Sequence, residues 1–173
     1  MKATLLICSC LVAVSVQAQD TLKTTAINRY YNSVRGNLEA AAEEMPAAKY
    51  DFRLTPDQMS FGEWINHSTE RNYLDCSTLR GEPNPMPKAK TDMLKGKEEI
   101  VKNLKESFAY CDATFANLTD QKILSSPQLT FSFLHTTVHN NEIYGNIVGY
   151  LRVSGITPPS TERMKKMMES KKK

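Results

Sequence analysis

The residues best suited to chemistry in this 173-residue chain are its three histidines, His67, His135 and His139. His135 and His139 form a His-x-x-x-His pair, and on a helix that spacing stacks two side chains on one face a turn apart. At about 100° per residue the same strip takes in Glu142 and Asn146, while Leu134, Val138, Ile147, Val148 and Leu151 fall on the other faces. Three imidazoles from two helices can hold a divalent metal and leave a coordination position for water or substrate. The same side chains can cap or bridge buried polar groups in a wet core, and because His-x-x-x-His on a helix is common by chance, the spacing alone favours that reading.

Other chemistries lack their signatures. There is no Gly-rich phosphate loop, no G-x-S-x-G elbow, no H-E-x-x-H and no Cys-x-x-Cys pair beyond residue 18, so serine-hydrolase, nucleotide and zinc-finger readings have no support. Cys76 and Cys111 fall in different expected helices. For an exported chain the expectation is a Cys76–Cys111 disulfide that staples the second helix to the third, the alternative being two separate buried thiols that act as small apolar residues.

Four helices must position these residues. Leu22, Ile27, Tyr30, Tyr31, Val34, Leu38, Ala41, Ala42 and Met45 recur every three or four positions, predicting a helix over 21–45 that Pro46 ends. Residues 47–59, with Pro56, read as a connection. Ser60 opens a second helix with Glu63 as its capping-box partner, and Gly81 with Pro83, Pro85 and Pro87 closes it. Ile100, Leu104, Phe108, Cys111 and Phe115 stripe a third helix from about Lys95 or Lys97 to about Leu118. A fourth runs from about Thr130 to Ser154, stopped by Gly155 and Pro158-Pro159. The expected fold is therefore all-α, a four-helix bundle. Phe61, Trp64 and Ile65 belong on its core side, and Tyr30, Tyr31 and Tyr144 either line a pocket or fill the core.

Met1-Lys2, the apolar run Leu5 to Val16 and the small residue Ala18 have the form of an export signal over residues 1–18. The expected destination is the periplasm or the outside of a bacterial-type cell. Cys8 also admits a lipoprotein reading, with Leu6 and Ile7 as poor stand-ins for the small residues such a site wants. No stable membrane span is expected, since a span takes about 20 apolar residues. The bundle should occupy residues 19–160 and a basic tail residues 161–173.

The net charge of +3 is local. Residues 162–173 hold six cations and two anions, and without them and the leader the body has 15 cations against 17 anions. A mildly acidic body with a solvated Lys end does not have the footprint needed to neutralise several phosphates, so no nucleic-acid partner is expected. A small bundle can pair with a second copy of itself, but periodicity assigns no face for it.

Two segments carry a family resemblance: Ser60-Phe-Gly-Glu-Trp-Ile-Asn-His67, and the run from His139-Asn-Asn-Glu-Ile-Tyr-Gly-Asn through Gly155-Ile-Thr-Pro-Pro159. With them the chain resembles the DinB-like four-helix bundles, the damage-inducible and thiol-transferase relatives. The resemblance implies a metal held by one histidine of the second helix and a His-x-x-x-His pair just before the Tyr-Gly-Asn element. His67 and His139 match two of those positions, and the third falls on Ile143, which has no lone pair. His135, a turn earlier, or Glu142, next door, are the remaining candidates. The resemblance thus implies a divalent metal such as zinc, nickel or iron, weakly held or lost because of Ile143, and a small-molecule or thiol ligand.

Overall fold

The computed structural model of the protein describes residues 27–172. The leader, its cleavage point, Cys8 and the expected first turn of the first helix lie outside the described residues. Helices are the only regular elements among the described residues: α1 (Asn28–Glu44), a 3-10 turn (Ala47–Lys49), α2 (Phe61–Arg80), α3 (Lys88–Thr91), α4 (Lys97–Ala116), α5 (Asp120–Ile123), α6 (Pro127–Val153) and α7 (Pro159–Ser170). The all-α expectation holds, and α3, α5 and α7 are added to the four long helices expected.

Local chemistry sets the ends. The Ser60 hydroxyl accepts from the Glu63 amide (3.2 Å) and the Glu63 carboxylate accepts from the Ser60 amide (2.7 Å), a complete capping box for α2. Gly81 closes that helix at φ 72°, a left-handed conformation that favours a residue without Cβ. Ser126 caps α6 through the Leu129 amide at 3.2 Å, with Pro127 at the first helical position.

The long helices share one core. α2 packs on α4 and α6, and α1 on α6 and α4. Leu38, Ala41, Phe61, Ile65, Leu104, Phe108, Ile143, Ile147 and Leu151 are fully enclosed there. Tyr31 and Tyr144 are part of this core, whereas Tyr30 is half exposed. Cys76 on α2 and Cys111 on α4 are joined, with Cα atoms 5.4 Å apart, inside the range a bridge requires.

The start of the expected basic tail is helical: α7 spans Pro159–Ser170, and none of its residues is buried. Pro158-Pro159 end the path of α6 as expected, but Pro159 also stands at the first turn of α7, where its missing N–H costs nothing. The boundary expected at residue 160 thus falls inside a helix. The amide of Ser160 donates to the Tyr144 hydroxyl (3.0 Å), and that hydroxyl bonds the Ser160 hydroxyl (2.9 Å), tying α7 to α6.

Candidate metal centre

The face that α2 turns to its neighbours is unusually polar. Ser68, Thr69, Asn72 and Asp75 are all buried on it. Across the interface the Ser68 hydroxyl donates to Asn140 Oδ1 (2.5 Å), Asn140 Nδ2 donates to Asn72 Oδ1 (2.7 Å), and Asn72 Nδ2 donates to the Ser107 hydroxyl (3.0 Å). This ladder ties α2, α4 and α6 with its interior donors met, as buried polar groups require.

His67 and His139 lie at the edge of that interface. Their Nε2 atoms are 2.9 Å apart and the ring planes are nearly perpendicular, at 87°. Each ring has a carboxylate on its other nitrogen: Glu142 at 3.0 Å from Nδ1 of His139, and Glu70 at 3.3 Å from Nδ1 of His67. The array is thus carboxylate, imidazole, imidazole, carboxylate. Two neutral imidazoles bring two N–H groups to three contacts, so one contact is left without a hydrogen. Burial, reinforced by His139, holds His67 below the ordinary histidine range, against the opposing pull of Glu70.

His135 does not join the pair. Its Nδ1 lies 2.7 Å from Oδ2 of Asp75, which is buried, and its ring is stacked between Phe131 (centroids 4.8 Å apart) and His139 (4.6 Å, planes within 16°). Burial pushes the Asp75 carboxyl above its usual range, opposed by the bond to His135 and by Arg71. Sequence reasoning missed Glu70, Arg71 and Asp75. The His67–Glu70 step of three and the Arg71–Asp75 step of four were the available signals.

The donors can be tested against a metal. Two imidazole nitrogens bound at about 2.0–2.1 Å in tetrahedral geometry lie about 3.3 Å apart, so the 2.9 Å pair needs only slight widening. Carboxylates on the far nitrogens also supply the usual outer support of metal-bound histidines. The third donor is where the fit fails. Ile143 is apolar and fully buried. His135 is turned to Asp75 in a ring parallel to His139, and Glu142 sits on the Nδ1 side of His139, away from the Nε2 pair. Among the described residues, no three His, Cys, Asp or Glu side chains form a metal-binding group.

The family model described as the DinB superfamily matches residues 30–142, most of the described chain and all three histidines. The chain belongs to the DinB superfamily. The match stops one residue before Ile143, so it covers the Ser60–His67 segment of this DinB domain and only the first residues of the run that begins at His139. No curated protein and no solved structure matches the chain. Within the DinB bundle a cavity of about 590 Å³ opens beside His67, toward α3 and the segment before α2 rather than between α2 and α6. Arg53, Glu63, Asn66, Glu70 and Lys88 contribute to its wall.

Proposed function

We propose that this is an exported DinB-superfamily domain whose site between α2 and α6 is a two-histidine remnant of a metal centre, with no reaction assigned to it. The observation that carries the reading is the pairing of His67 and His139 at 2.9 Å while Ile143, at the position of the expected third ligand, is sealed in the core. Zinc centres generally need three or more protein ligands, so two imidazoles hold a divalent ion weakly and exchangeably. Zinc, nickel or iron would therefore be present at well below one equivalent. A small polar molecule or a thiol would reach His67 from the cavity beside it.

A second reading, a non-catalytic scaffold, draws on the Ser68–Asn140–Asn72–Ser107 ladder, which pairs these four buried polar side chains with one another without any ligand. Metal analysis of untagged protein separates the two. The remnant reading expects substoichiometric metal, abolished by His67→Ala and raised by Ile143→His. A full equivalent that survives His67→Ala would overturn it, and metal undetectable both as purified and on titration would leave the scaffold.

A further inference from the structure

α7 is a helix without a buried face. It has 12 residues, none of them buried, and is fastened through Ser160 to Tyr144 and through Arg163, whose guanidinium donates to Asn37 of α1. Helices shorter than about 12–15 residues are marginal in water unless a face is covered. The face available here is apolar: Met164, Met167 and Met168 stand at i, i+3 and i+4, each a little over half exposed.

The charges are sorted around that face. At about 100° per residue, Arg163 and Lys165 fall on its two edges, while Glu162, Lys166 and Glu169 fall on the side opposite the methionines. The edge that carries Arg163 is the one turned toward the domain, where its guanidinium reaches Asn37 of α1. The methionines keep a little over half of their surface open to solvent. Lys171 and Lys172 add two cations just past the last turn, so residues 162–172 carry five cations against two anions on an otherwise slightly acidic protein.

We infer that α7 is a membrane-surface element, which lays its methionine face into the headgroup boundary of an anionic bilayer with Lys165, Lys171 and Lys172 against the lipid phosphates, while Arg163 holds the helix to α1. An apolar stripe edged by cations, with the anions kept on the far side, is the arrangement that gains from both apolar burial and anionic lipid. No helix among the described residues is long and apolar enough to cross a membrane, so the contact is peripheral. The inference is independent of the histidine site, and its test involves no metal.

The test is co-sedimentation of the protein, expressed from its full sequence and purified as the host processes it, with two kinds of vesicle in the presence of chelator. Wild type and variants share the same N terminus, so any retained leader cancels between them. Phosphatidylcholine vesicles containing phosphatidylglycerol should bind the protein, and vesicles of phosphatidylcholine alone should not. Binding should fall about fivefold or more at 0.5 M salt, about where screening confines charges to their nearest neighbours. Replacing Met164, Met167 and Met168 together by Ser should also lower binding about fivefold or more while the melting temperature is kept, and Lys165→Gln with Lys171→Gln and Lys172→Gln should do the same. Equal binding to both vesicles, no binding to either, or binding indifferent to the methionines would overturn the inference. So would self-association that the Ser variant abolishes in the absence of vesicle binding, since the occupant would then be a second copy.

Discussion

His139 Nε2 meets His67 Nε2 at 2.9 Å across α2 and α6, and one turn beyond His139 the chain places Ile143 in the closed core. A histidine at 143 would bring a polar ring into an apolar enclosure, and such a ring is tolerated only with a partner for its nitrogens.

That gives a prediction for Ile143→His. In chelator the variant should lose about 1–3 kcal/mol of stability, the cost of a buried polar group lacking a partner. Added zinc or nickel should restore much of the loss, because a ligand that binds only the folded state stabilises it. Urea denaturation with and without metal measures both. A variant as stable as wild type in chelator, or indifferent to metal, would show that position 143 does not reach the histidine pair.

Asn140 is the centre of the buried ladder, touching Ser68, Asn72 and the Thr136 carbonyl. Asn140→Leu keeps the volume roughly but leaves Ser68 and Asn72 each short of a partner. The expected loss is about 1–3 kcal/mol for each group so orphaned. Ser68→Ala added to Asn140→Leu should cost less than the sum of the two single changes, since removing both partners spares an orphan. Denaturant midpoints of the three variants check it.

What could be read from the sequence was what local chemistry decides. Ser60 with Glu63, and Gly81, act within a few residues of the ends they set, and α2 starts and stops where those signals fall, whereas α6 starts at Pro127 with Ser126 as its cap, ahead of the expected Thr130. The apolar stripe of α4 was legible for the same reason. α2 was placed by its ends rather than its stripe, because Ser68, Asn72 and Asp75 occupy core-facing positions. Their partners lie on α4 and α6, far along the chain, and no periodicity reports them. His135 shows the limit at the site: the strip placed it beside His139, which is right, but its hydrogen bond to Asp75, 60 residues away, depends on the rotation of α2. α7 was hidden because a Lys-rich segment reads as solvated whether or not it is helical, and no buried stripe marks it.

The Cys76–Cys111 bridge closes a loop with a sequence separation of 35. In the chain-entropy treatment a loop of that size is worth about 3–4 kcal/mol, through the freedom it removes from the unfolded chain. The double variant Cys76→Ala with Cys111→Ala should fall in stability by about that amount and keep its helical spectrum, because both sites lie in a core the four long helices share. Thiol counting under denaturing conditions on protein taken from an exporting host should find no free thiol at these positions. Two free thiols there, or a double variant as stable as wild type, would remove the staple.

The last prediction concerns pH. Burial and the neighbouring His139 hold His67 below its ordinary value of about 6.5 in the folded protein. For a base with a lowered folded pKa the unfolded chain takes up the proton first as pH falls. Stability from His67 is thus complete above about pH 6.5 and is lost as pH drops through that value toward the folded one. Asp75 acts in the opposite sense and lower down: with its carboxyl raised by burial, the folded state protonates first, so stability from Asp75 is gained as pH falls toward about 3.9. Between about pH 7 and 5 the melting temperature of chelator-treated protein should therefore decline, and His67→Gln should flatten the part of the decline due to His67. Thermal melts of wild type and variant across that window decide it. Parallel curves would mean that His67 titrates in the fold as it does in the unfolded chain, and would overturn the prediction.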